Sequence, residues 1–174
     1  GNILFLNYFN DILITFTLIF FYLAPFIFLK IIKIKNIFNI KIFIFSLLIF
    51  LICSYNFDYN YLNTGGGIFF KASQVLFGNN YFFFFISLIS LQVVIPILLD
   101  NRFNLLLFIL ILLNNPQNSM YHKYFDPFLL ITFFTIFSLN INFNKLQNKK
   151  FFLLVFFYFL SFLIISNIKF IWNI

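Results

Sequence analysis

The residues able to do chemistry stand almost entirely between the chain's apolar runs. The densest cluster is Tyr121-His122-Lys123-Tyr124-Phe125-Asp126-Pro127. A lysine ammonium flanked by tyrosines at the head of an apolar run pairs with lipid phosphate, and the tyrosine rings suit the membrane–water boundary. Asp126 before Pro127 reads as a helix start, the carboxylate capping and the proline taking the first helical position. His122 is the single histidine, with no second His, Cys or Glu beside it, so it makes a poor metal site. Cys53 is also alone, and forms neither an internal disulfide nor a multi-cysteine site. A second polar stretch reads Asn63-Thr64-Gly65-Gly66-Gly67. Its glycines permit left-handed backbone, but no phosphate-loop or dinucleotide fingerprint follows, so no cofactor is implied. Behind them Phe69, Phe70, Ala72, Leu76 and Phe77 fall on one helical face, with Lys71 and Gln74 opposite. That predicts a short amphipathic helix over Ile68 to Phe77, lying in the interface plane. Ser87, Ser90 and Gln92 predict hydrogen bonding between helices rather than a substrate path.

The elements that carry these residues follow from composition. Of 174 residues, 63% are hydrophobic, 25% aromatic and 9% charged. Soluble domains carry about 25% charged residues, and one of this length still exposes roughly 30% of its unfolded surface. A soluble enzyme, a nucleic-acid-binding domain and a disordered tail are excluded. The 34 Phe, with abundant Ile, Asn, Lys and Tyr, fit an A/T-rich coding bias acting on a membrane protein, so aromatic stripes read as lipid-facing or core packing. The predicted fold is all-α, a polytopic transmembrane bundle of about six spans with one short interfacial helix, forming a single domain over 1–174. The spans are Ile12–Leu29, Ile42–Tyr55, Tyr81–Leu99, the short Phe103–Leu113, Pro127–Leu139 and Phe151–Ile168. Pro25 is expected to kink the first. With no basic stretch before it, the first run is a span and not a signal peptide. The cations test the threading. Eight lie in the connections 30–41, 100–102 and 145–150, and three, Lys71, Lys123 and Lys169, on the opposite side. Cation excess marks the cytoplasmic face, so the loops Asn56–Asn80 and Asn114–Asp126 belong outside. No charge lies near the middle of a run, which argues against a proton pump, a voltage sensor or an ion-coupled carrier.

The element Tyr121 to Pro127, leading straight into an apolar run, resembles the Arg-Tyr-x-x-Pro element near the C-terminal end of some GT-C glycosyltransferases. Those polytopic enzymes move a sugar from a lipid-phosphate donor at the lumenal or periplasmic face. The resemblance covers seven residues and implies Lys123 at the basic position, Tyr124 at the aromatic one and Pro127 at the helix-opening proline. Lysine in place of arginine keeps the phosphate-pairing charge and loses the bidentate fork. On this resemblance Lys123 contacts the donor phosphate, His122 and Tyr124 shape the headgroup pocket, and Lys71 is a second anion contact. The implied partners are the bilayer and a polyprenyl-phosphate-linked sugar, in a bacterial inner, ER-type or organelle membrane. The family's catalytic acids lie in an early outer loop, and nothing in the sequence corresponds to them. Since the chain opens at Gly1 and its single Met is Met120, the expectation is a C-terminal portion whose upstream part holds those acids. Two other classes stay open: a transporter, flippase or polysaccharide-export component, and an organelle-encoded respiratory subunit.

Overall fold

A computed structural model describes residues 2–60, 66–113, 135–142 and 148–171, with side chains from 8–60, 66–113, 135–142 and 148–164. The described residues form six helices and no strand: α1 (Asn2–Phe28), α2 (Ile40–Tyr55), α3 (Gly67–Phe77), α4 (Tyr81–Asp100), α5 (Arg102–Leu113) and α6 (Lys149–Ile171). Two segments are long and apolar enough to cross a membrane, Tyr8–Phe28 and Tyr81–Asp100, while α2 and α5 are shorter apolar helices. The run expected from Pro127 to Leu139 falls mostly outside the described residues.

The first helix departs from expectation. It begins at Asn2 and not near Ile12, and it continues through Pro25 to Phe28. Asn10 and Asp11 interrupt the apolar run, yet a helix needs only its backbone bonds and tolerates these polar side chains, which are buried. Asp11 therefore lies within the apolar segment Tyr8–Phe28 of spanning length, where the expected span began at Ile12.

The chain folds as two compact units, 1–22 with 34–139 and 23–33 with 140–174. In the first, α2 and α4 run antiparallel. Phe50 near the end of α2 stacks edge-on against Phe84 near the start of α4, with centroids 6.1 Å apart. At the opposite end Lys35 pairs with Asp100 at 3.5 Å, and the Gln92 side-chain amide donates to the Ile37 carbonyl. The α2–α3 end is closed by a knot of rings: Phe57 on Phe83 at 5.1 Å, Tyr59 on Phe70 at 5.2 Å, and Phe70 on Phe83 at 5.5 Å. Ser73 fastens the α3–α4 corner, its hydroxyl donating to the Asn79 carbonyl at 2.6 Å and accepting from the Phe83 N–H at 3.1 Å. Asn104 fastens the α4–α5 corner. Its amide donates to Ile97 O at 2.9 Å and Ser138 O at 3.2 Å, and its oxygen accepts the Ser138 N–H at 2.9 Å.

In the second unit α1 ends in a Schellman turn. Lys30 sits at φ 55, its N–H bonds Ile27 O, and the Ile31 N–H bonds Phe26 O. Residues 31–33 then pair with 140–142 through Lys33 N to Asn140 O at 3.0 Å and Asn142 N to Ile31 O at 2.8 Å. Phe26 packs on Phe151 at the head of α6, centroids 5.6 Å apart.

The described core on α1 and α4 is mainly apolar, but α2, α5 and α6 also leave many large apolar side chains exposed. In α2 the fully buried positions are Ser46 and Cys53, while Leu48, Leu51 and Ile52 are each 53% exposed. In α5 Asn104 is buried with Phe108 and Ile111, while Phe103, Leu106 and Leu113 point outward. On α6 Phe152, Leu153, Leu154, Phe156 and Phe157 are all exposed. Small polar groups inside and large apolar ones outside is the arrangement that hydrocarbon solvent favours.

Candidate functional site

Of the residues singled out in the sequence, His122, Lys123 and Tyr124 lie outside the described residues. Lys71 is on α3 as expected, exposed on its first half. The face that α3 buries is Gly67, Phe70 and Ser73, whereas Leu76 and Phe77 are exposed. Phe70 is drawn into the ring knot and Ser73 into the corner bonds, which sets the face that α3 packs inward. Ser87 and Ser90 are buried, but they do not bond between helices. Their hydroxyls donate to Phe83 O and Ile86 O on their own helix, the usual satisfaction of a hydroxyl on a helix in apolar surroundings. Of that trio, Gln92 alone reaches another element, and its Oε1 is buried with no partner among the described residues.

The polar residues that the structure does bring together sit at the α2–α3 end of α1. Asn10 and Asp11 are 5% and 2% exposed. The Asn10 Oδ1 accepts the Asp58 N–H at 3.0 Å, which ties the α2–α3 connection to α1. Asp58 itself is exposed, so two acids approach one end of the unit, one sequestered and one open. Asp11 shares its α1 face with Ile14 and Leu18, at the i+3 and i+7 positions. Those side chains are what a Cβ on Gly67 would meet, at 3.4 and 3.7 Å. The first turn of α3 therefore rests on this face, and Asp11 lies about 4.5 Å further along the α1 axis.

Two glycines make that approach possible. Gly66, the N-cap of α3, has φ 81, and Gly67 has φ 78. No side chain caps α3 at Gly66, so the positive end of the helix lies at the turn that rests on Ile14 and Leu18. The Asp11 Oδ2 is buried with no hydrogen-bond partner among the described residues. A carboxylate oxygen held this way costs free energy, and acids so placed in membrane helices mark sites where a substrate, ion or proton is handled. No group of three His, Cys, Asp or Glu side chains gathers to hold a metal ion among the described residues.

Sequence reading missed this site because Asp11 stands directly before a long apolar run and looks like its boundary. The available signal was the spacing of Asn7, Asn10 and Asp11, three polar residues within one turn, followed by Thr15 a turn later. Comparison of the chain with protein-family models, curated proteins and solved structures found no match.

Proposed function

We propose that this chain is a multi-pass membrane protein that transfers a sugar from a polyprenyl-phosphate donor in the manner of GT-C glycosyltransferases. The observation that carries the reading is the buried Asp11 carboxylate at the α2–α3 end of α1, whose Oδ2 has no hydrogen-bond partner among the described residues; it is an acid on a helix and not in the early outer loop where the resembled family holds its own. In this reading α1, α2, α4, α5, the run 127–139 and α6 are six crossings, and the cation-rich connections face the cytosol. The Lys35–Asp100 pair supports that threading, since it joins two of those connections. So does the pairing of residues 31–33 with 140–142 just ahead of the third. The α2–α3 connection, Asp11 and the Tyr-His-Lys-Tyr element then share the outer or lumenal face of a bacterial inner, ER-type or organelle membrane.

The chemistry assigned to these residues is a displacement at the anomeric carbon. The Asp11 carboxylate takes the proton of an acceptor hydroxyl as its oxygen bonds to the sugar, and the bond from that carbon to the donor phosphate oxygen breaks. Lys123 holds the departing phosphate, His122 and Tyr124 shape its pocket, and Lys71 gives a second anion contact. The test is transfer of labelled sugar by the purified chain in lipid nanodiscs. Asp11→Asn should lower transfer about 100-fold or more, and Lys123→Ala should lower donor use, both at unchanged protein abundance. Unaltered transfer in both variants, or none by the parent chain with any donor of this class, overturns the reading. The same acid favours a second reading, a carrier with Asp11 on the substrate path. Vesicle uptake that Asp11→Asn abolishes, without formation of a glycosidic bond, selects it.

A further inference from the structure

A groove runs along the flank of the first unit. It has a volume of about 320 Å³ and is lined wholly by apolar side chains and Cys53. One wall is the α2 stripe Phe45, Ile49 and Ile52, and the other is the α5 stripe Leu105, Phe108 and Leu112, with α1 and α4 between them. Its floor is buried, with Phe16 at 3% and Phe108 at 6% exposed, whereas Phe45, Ile52 and Leu105 on the rim are exposed. The groove thus opens sideways, away from the bundle. From Phe45 to Cys53 the α2 wall rises about 12 Å, long enough to run beside a stretch of one extended hydrocarbon chain.

The end of the groove is charged. Lys41 precedes Phe45 by one turn on the same face of α2, and Arg102 precedes Leu105 by one turn on α5. Both are exposed. The Lys35–Asp100 pair at 3.5 Å brings the starts of α2 and α5 to the same end. Asp100, the acid nearest Arg102 in the chain, is engaged by Lys35, and neither Lys41 nor Arg102 has an ion-pair partner among the described residues. An apolar groove ending beneath two cations is complementary to a molecule with an anionic head and a long aliphatic tail.

We propose that this groove binds one acyl chain of an anionic glycerophospholipid, with Lys41 and Arg102 holding its phosphate. The charged end of the groove is at the opposite end of the unit from Asp11, and the proposal rests on the membrane reading alone, not on sugar transfer. It is tested with the full chain in nanodiscs of phosphatidylcholine containing a minority of phosphatidylglycerol whose acyl chain carries a photoreactive diazirine. Illumination should label peptides of α2 and α5 within Phe45–Cys53 and Leu105–Leu112. In native mass spectra one phosphatidylglycerol should survive delipidation. The double variant Lys41→Gln/Arg102→Gln should retain it about tenfold less, with phosphatidylcholine retention unchanged. Ile49→Trp, which fills the slot and leaves both cations in place, should reduce labelling of the α5 wall. Equal retention of the two lipids by the parent chain, or labelling as strong on the exposed face of α6 as in the groove, overturns the proposal. Both readouts use the parent chain, so they decide it even if a variant does not fold.

Discussion

Gly66 and Gly78 show how differently two glycines of similar backbone geometry act. Both adopt left-handed φ, 81° and 65°. A Cβ on Gly66 would meet the Phe70 Cδ1 at 2.7 Å and the Tyr59 Cε1 at 2.9 Å, and both rings are buried in the knot. A Cβ on Gly78 would meet nothing within 4 Å. Gly78→Ala therefore carries only the left-handed penalty of about 1–2 kcal/mol. Gly66→Ala adds displacement of packed rings, for a total of about 2–5 kcal/mol. Thermal unfolding of the two variants in the same detergent should separate them by several degrees, and equal midpoints would refute the role of the knot. The glycine run was legible in the sequence as backbone freedom, and Lys71 as an exposed cation on a short helix. Asp11 and Asn104 were not. Asp11 was hidden by its place at the edge of an apolar run. The two-way bonding of Asn104 with Ser138 depends on a partner 34 residues away, which no local pattern announces.

Among the elements, α1 carries the most testable termination. Its C′ position is Lys30 at φ 55, where glycine is the usual occupant because a side chain there crowds the following carbonyl. Lys30→Gly removes that strain at the cost of a more mobile unfolded chain, and the net expectation is a gain of about 0.5–1 kcal/mol. Lys30→Val should move stability the other way, since a branched Cβ tolerates this region least. Melting curves of the three proteins should order Gly above Lys above Val, and any other order would show that the turn is held by something besides this geometry. The boundaries of α2, α3, α4 and α5 were readable to within two residues, because continuous apolar runs bounded by Asn and charged residues determine where a buried backbone can begin and end. The inward face of each helix was less readable. A helix that is apolar all round has no moment to point it, so the orientation of α2 follows from Ser46 and Cys53 allowing close approach, and that of α3 from Phe70 and Ser73.

For the molecule as a whole, the ordering of polarity is the argument for its solvent. The described buried polar side chains include Asn10, Asp11, Thr15, Ser46, Ser87 and Asn104, while leucine, isoleucine and phenylalanine crowd the exposed faces of α2, α5 and α6. Water would penalise those exposed apolar faces, whereas hydrocarbon is indifferent to them and penalises only unsatisfied polar groups. The bonds of Ser46 to Ile42 O and Thr17 to Ile14 O meet that second demand within the helices themselves. If the helices cross a bilayer, the two ends of the first unit must lie on opposite sides of it. In the proposed threading the end with Lys35 and Asp100, which carries the connections 30–41 and 100–102, faces the cytosol. Cys53 is the chain's single cysteine and is buried, so in a Cys53→Ser background one introduced thiol reports one position. Asp58→Cys should react with a membrane-impermeant maleimide in intact cells or sealed lumen-out vesicles, and Phe38→Cys, at a position 96% exposed, only after permeabilisation. Reaction of both from the same side would place the α2–α3 connection and the α1–α2 connection on one face. That outcome is incompatible with a membrane-crossing α2, and it would remove the physical basis for reading Asp11 as an outer-face acid.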